Sequence, residues 1–243
     1  MTEHTVKAFG EKLEALTTSV AQVGGLAEAQ LADAIDAIAR RDTAKAESVI
    51  ASDRRIDQLQ YQIEDQAMKL LALRQPMAVD LRETMAALKM ASELERIGDL
   101  AKNIAKRAIV LNREPPIRLT QSLARMGRQV LAQLKQVLDA YAKRDAVAAQ
   151  AVWKQDGEID EVYNSLFREL LTYMMEDPRT IGLCTHLLFV AKNIERAGDH
   201  CTNVAETVYY MVSGDHLSAD RPKADVTSET SVPYGSKGCW NLP

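Results

Sequence analysis

Glu95 and Asp99 stand four residues apart in the stretch ELERIGDLAKN, with Asn103 four further on. On a helix that spacing places all three oxygen-bearing side chains on one side. The chemistry open to such a set is the binding of a hard cation through oxygen ligands alone. The stretch NIERAGDHCTN repeats the arrangement. Glu195, Arg196, Gly198, Asp199 and Asn203 follow Glu95, Arg96, Gly98, Asp99 and Asn103 at a constant offset of 100 residues. Asp53 with Asp57, and Asp156 with Asp160, are two further acid pairs of the same spacing, offset from one another by 103.

At about 100° per residue, Leu88, Leu81 and Met85 fall on the same side of the helix as Glu95, Asp99 and Asn103. Met90, Ile97, Ile104 and Ala108 form a second apolar stripe nearly opposite. Leu81 and Leu88 read as core residues, so the carboxylates continue an apolar stripe. Gly98 and Gly198 cost roughly 1 kcal/mol each in a helix interior, and close approach of a neighbouring backbone is the expected return. Asp53 and Asp57 precede the turn at Pro76 by about the distance at which Glu95 and Asp99 follow it. In an antiparallel pair the four acids therefore lie at one level. Such a cluster needs compensation, since removing unpaired charges from water costs several kcal/mol per charge. Arg96, a lysine such as Lys102, and solvent can supply it, which makes the seam a solvated acidic face. A metal cation can supply it instead: Mg²⁺, Mn²⁺, Ca²⁺ or iron suits oxygen ligands. The residues alone leave both readings open.

Other chemistry is missing. There is no P-loop and no nucleophile elbow. A di-iron oxidase would need Glu-x-x-His on two helices, and neither His186 nor His200 has a Glu three residues before it. Cys184, Cys201 and Cys239 match no zinc spacing. The first two lie about 25 Å apart along one helix, so they cannot bridge.

The elements that must position these residues are six long helices, expected over about 5–40, 43–73, 77–112, 117–142, 146–175 and 179–212. Pro76, the REPP stretch at 113–116 and Pro178 separate them. Short connections force antiparallel neighbours. The fold expected is all-α, with two tandem, similar three-helix bundles over 1–113 and 114–212 and a flexible, disordered tail over 213–243. ARRD at 39–42 recurs as AKRD at 142–145, and DRRID at 53–57 as DGEID at 156–160. Duplication of one three-helix unit explains these recurrences. Two like bundles in tandem read as a long rod with repeated faces.

Composition supports this reading. Of 243 residues 47% are hydrophobic and only 5% aromatic, and seven prolines and eleven glycines interrupt the chain. Helix formers dominate. A net charge of −4 leaves no footprint for nucleic acid. No apolar run is long enough to span a membrane, and the first residues lack a signal-peptide core. A cytoplasmic protein with reduced thiols is expected.

ELERIGDLAKNIAK and NIERAGDHCTNVAE, with LRQPMAVDLR between the second and third helices, closely resemble the PhoU family, over about residues 5–212. The resemblance implies a non-enzymatic accessory protein of phosphate transport that represses phosphate signalling when phosphate is plentiful. It implies contact with a sensor histidine kinase and with the ATPase subunit of the phosphate ABC importer. Membrane association would be peripheral, through those partners, and the protein a homodimer. It also implies iron, zinc, Mg²⁺ or Mn²⁺ on Asp53, Asp57, Glu95 and Asp99, and on Asp156, Asp160, Glu195 and Asp199; by their place on the same helix side, Asn103 and Asn203 are expected to add a carbonyl oxygen to each set. Arg82, Arg96 and Arg196 are the candidate partner contacts, and Arg82 has no arginine counterpart at Gly182. The competing reading is a metal-dependent helical-bundle enzyme or metal store.

Overall fold

The computed structural model describes residues 2–73, 78–115, 119–218, 224, 225 and 227. Pro76, Pro116, Cys239 and most of the tail expected beyond 213 lie outside them. Among the described residues eight α-helices form: α1 (Thr2–Ala39), α2 (Thr43–Ser52), α3 (Arg54–Leu73), α4 (Ala78–Leu111), α5 (Leu119–Lys143), α6 (Ala146–Lys154), α7 (Asp156–Glu176) and α8 (Ile181–Ser213). No strand occurs among the described residues. These are the six expected rods, two of them interrupted. The second rod breaks at Asp53, whose carbonyl accepts the amide of Ile56 at 2.9 Å. The fifth breaks at Gln155, whose carbonyl accepts the amide of Glu158 at 3.1 Å. Each break is one tightened turn at the start of an acid pair.

The first two rods of each half meet through the same turn. Asp42 N–H reaches back to the carbonyl of Ala37 and Arg41 N–H to that of Ile38. Asp145 and Arg144 repeat this with Ala140 and Tyr141. This is the Schellman ending, and it forces the residue at its centre into the left-handed region. Arg41 has φ 57° and Arg144 φ 52°, where glycine is usual. The next residue starts the following helix: Asp42 accepts from Lys45 N–H and Asp145 from Ala148 N–H, the ordinary N-cap bond.

The bundles lie flank to flank and not end to end, so the extended rod expected from the tandem repeat is not formed. α1 packs on α5, and α4 on α8. The buried apolar residues of both halves join into a single core. The reason is the two-sided burial of the long helices. Met90, Ile97, Ile104 and Ala108 of α4 are buried in the first bundle, while other faces of α4 meet α8. Small residues let the flanks close. A Cβ on Gly127 would stand 2.6 to 3.2 Å from three carbons of Ile35 in the other bundle. Gly127→Ala should therefore lose about 1–2 kcal/mol despite its better helix propensity. Gly198 is different, since its Cβ would meet nothing nearer than 3.6 Å. Gly198→Ala should gain up to about 1 kcal/mol. Urea unfolding of the two variants measures both signs. The close approach expected at the repeated glycines is thus confined to Gly98. Its nearest neighbours there are the side chains of Ile56 at 2.9 Å and Gln30 at 3.2 Å, and not a backbone.

Candidate cation seams

Each half carries its acids at one level, on facing rods. In the first, Asp53 sits at the α2–α3 break, Asp57 on α3, and Glu95 and Asp99 on α4. Lys102 ties the rods together, with Nζ 2.5 Å from Asp53 Oδ2 and 2.6 Å from Asp99 Oδ1. Asp53 is 5% exposed, so this lysine neutralises a charge that water barely reaches. Burial lowers the affinity of Lys102 for its proton, but hydrogen bonds to Asp53 and Asp99 outweigh it, and the group titrates well above the usual lysine range. Burial, then repulsion from Asp53, raises Asp57. Burial, then repulsion from Asp99, raises Glu95, with Arg96 opposing.

The second seam has the same acids and a different cation. Position 202, equivalent to Lys102, is a threonine that donates to Asp156 Oδ1 at 2.8 Å. Its lysine is Lys192, equivalent to Ser92, with Nζ 2.9 Å from Glu195 Oε2. That contact is an ion pair without good hydrogen-bond alignment. Asp160 faces the same groove, and burial raises its pKa against two backbone amides that lower it. Burial pushes Glu195 up to about 7, with Lys192 opposing and Asp199 reinforcing the rise.

Glu195 thus holds its proton to higher pH in the folded chain than at its ordinary 4.5. The folded state binds the extra proton, so this group's contribution is fully present below 4.5 and is lost as pH rises through about 7. Glu195→Gln, neutral throughout, should be more stable than the wild type by about 1–2 kcal/mol near pH 8, with the gap closing toward about pH 5. Urea midpoints in EDTA at both pH values check this.

The apolar stripe in line with the acids is not core. Leu81 and Met85 are each 42% exposed, and Leu88 is half-buried. The acid side of α4 faces the α2–α3 break instead, where Lys102 bridges Asp99 to Asp53. Arg96 is exposed and 3.8 Å from Glu95, and Arg196 is exposed. Arg82 is half-buried, with Nη1 against the α8 cap at Gly214. That glycine has φ 83°, so a side chain there would meet both strain and the guanidinium.

Asn103 is exposed beside the first seam, and Asn203 donates its Nδ2 to Glu93 Oε2 at 2.9 Å. His200 Nδ1 donates to the same oxygen at 2.6 Å. This three-residue network stitches α4 to α8 across the bundles. Glu93 and His200 carried no signal in the sequence, because their partners lie more than 100 residues away. Among the described residues, no three Asp, Glu, His or Cys side chains converge into a ready ligand shell. The carboxylate oxygens have the chemistry for a hard cation, and the lysine amines stand among them. A cation at the first seam would be held by Asp53, Asp57, Glu95 and Asp99 once Lys102 swings aside.

These features define a class: a duplicated three-helix-bundle protein with one acidic seam per repeat. The sequence profile of the PhoU domain matches twice, over residues 20–108 and 123–208. The chain belongs to the PhoU family. It is 58% identical over 230 residues to a phosphate-specific transport system accessory protein PhoU homolog of Caulobacter vibrioides, covering 94% of this chain and all of that protein. It is 38% identical to the protein of that name, PhoU, from Escherichia coli, over 90% of this chain and 92% of the other. The crystal structure of PhoU from Pseudomonas aeruginosa superposes with a TM-score of 0.83 at 38% identity, covering 85% of this chain and 100% of that one.

Proposed function

We propose that this protein restrains phosphate uptake and phosphate signalling, acting in the cytoplasm without catalysing a reaction. The observation that carries the reading is its similarity, over nine-tenths or more of both chains, to relatives named as accessory proteins of the phosphate-specific transport system. Its partners are the ATPase subunit of the phosphate ABC importer and a sensor histidine kinase. Among the described residues no helix is long and apolar enough to cross a membrane, which favours a peripheral role through such partners. The two bundles offer related but unequal faces. Arg96 and Arg196 project from equivalent positions on α4 and α8, while Arg82 occurs in one half only. The protein acts as a homodimer, and Mg²⁺, Mn²⁺, iron or zinc on the acidic seams sets its activity.

A deletion strain carrying a phosphate-starvation reporter tests the reading. In phosphate-rich medium the reporter should rise by about an order of magnitude or more, since a regulatory bias of 1–3 kcal/mol is worth 5- to 150-fold. Uptake of labelled phosphate should become unrestrained. A wild-type reporter response together with wild-type uptake would remove the regulatory assignment. Arg96→Glu and Arg196→Glu, expressed in that strain, separate the two contacts if one variant restores only the reporter and the other only uptake.

A further inference from the structure

The second seam has an occupant from its own chain. Asp160 Oδ2 accepts the backbone amides of Ala224 at 2.8 Å and Asp225 at 3.1 Å. Asn164, one turn further along α7, donates its Nδ2 to the carbonyl of Ala224 at 2.6 Å. From α8, Lys192 Nζ pairs with Asp225 Oδ2 at 2.8 Å while holding Glu195. Asp225 is fixed in turn, since its Oδ1 accepts both the amide and the hydroxyl of Thr227. The segment thus meets the groove with two amides toward a carboxylate and a carboxylate toward an ammonium.

A fifth acid entering an acidic seam needs this arrangement. The paired amides are partial positive charges aimed at Asp160, and Lys192 is shared between Glu195 and Asp225. The balance is visible on Asp225: burial would raise its pKa, but Lys192 and Thr227 hold it at about 2. The first seam cannot take such a segment. The position equivalent to Asn164 is Tyr61, which is 67% exposed, and the position equivalent to Lys192 is the exposed Ser92. The groove is therefore specific to the second repeat.

We propose that Ala224 and Asp225 are an intrachain ligand of the second seam, which closes Asp160 and Glu195 to solutes and leaves the first seam as the accessible one. A solute or partner that needs the second seam must first displace this segment, so the two repeats, alike in sequence, answer differently to the same ion or peptide.

The full-length protein tests this by carbodiimide labelling of carboxylates, read residue by residue by mass spectrometry, in wild type and in Asp225→Lys, which sets an ammonium against Lys192. Asp160 should label about tenfold faster in the variant, corresponding to loss of a local closure of about 1.4 kcal/mol, while Asp57 in the first seam labels equally in both. In wild type the amides of Ala224 and Asp225 should exchange at least about tenfold slower than unprotected amides. Equal labelling of Asp160 in the two proteins, or unprotected amides at 224 and 225 in wild type, overturns the proposal. If Asp57 labelling also changes, the variant is perturbed globally and the wild-type amide exchange decides.

Discussion

Replacing Lys102 with methionine should lower the unfolding free energy by about 2–4 kcal/mol in metal-free buffer, somewhat less than the roughly 3–5 kcal/mol for removing one partner of a fully buried ion pair, because the lysine is partly exposed. Lys102 is 23% exposed at its side chain, and its two partners are Asp53, 8%, and Asp99, 34%. Methionine keeps most of the packing volume and removes the charge. What remains is Asp53 in a nearly dry position beside three other acids. Millimolar Mn²⁺ or Mg²⁺ should restore a large part of the loss, because the vacated position lies between carboxylates from two rods. Potassium chloride at matched ionic strength should restore little. Urea titrations with and without each salt measure it. Equal recovery with potassium would mean that the seam only needs screening, and the cation reading would then fail for the first repeat.

The second large effect is expected where the bundles meet. Arg144 lies at the left-handed centre of the α5–α6 turn, yet its guanidinium crosses to the other bundle and grips both oxygens of Glu83, at 2.5 and 2.9 Å. The Glu83 side chain is 8% exposed and that of Arg144 60%. Solvent around the arginine discounts the pair below a fully buried one. Arg144→Met should therefore cost about 2–3 kcal/mol, chiefly by leaving the glutamate unpaired. Arg144→Gly removes the same pair but relieves the backbone, and should cost about 1 kcal/mol less. Unfolding curves of both variants, with Glu83→Gln completing a double-mutant cycle, measure the coupling. A glycine variant as stable as the wild type would show that backbone relief offsets the ion pair entirely. The equivalent Arg41 makes a different contact from the same turn, donating to the carbonyls of Asn112 and Glu114 within its own bundle. Its glycine variant should leave the inter-bundle interface untouched.

That pair of arginines shows where local sequence stops being informative. Both turns were legible as a match between ARRD and AKRD, and the caps at Asp42 and Asp145 follow from local chemistry. Whether the guanidinium reaches carbonyls 71 and 73 residues on or a glutamate 61 residues back depends on how the helices pack in space. The break at Asp53 has no glycine or proline beside it, and the break at Gln155 has only Gly157, a single glycine that a helical pattern tolerates. They amount to one tightened turn each, too small a change to disturb the period.

What the sequence determined by itself was every feature carried by short-range periodicity: six rods, the duplication, the antiparallel order, and four acids at one level in each half. The rods, their order and the level of the acids follow from 3.6-residue repeats, breakers and equal distances from a turn, readable within a few tens of residues, and the duplication follows from recurrences 100 to 103 residues apart. Tertiary structure alone decided the rest. α4 carries two apolar stripes of similar strength, and only its neighbours settle that Met90 and Ile97 are core while Leu81 and Met85 stay exposed. Only packing brings Glu93 to His200 and Asn203, and only packing seats Ala224 and Asp225 on Asp160. The compensating lysines come from non-equivalent positions, Lys102 and Lys192, because charge balance requires a cation within reach in space and imposes no spacing along the chain.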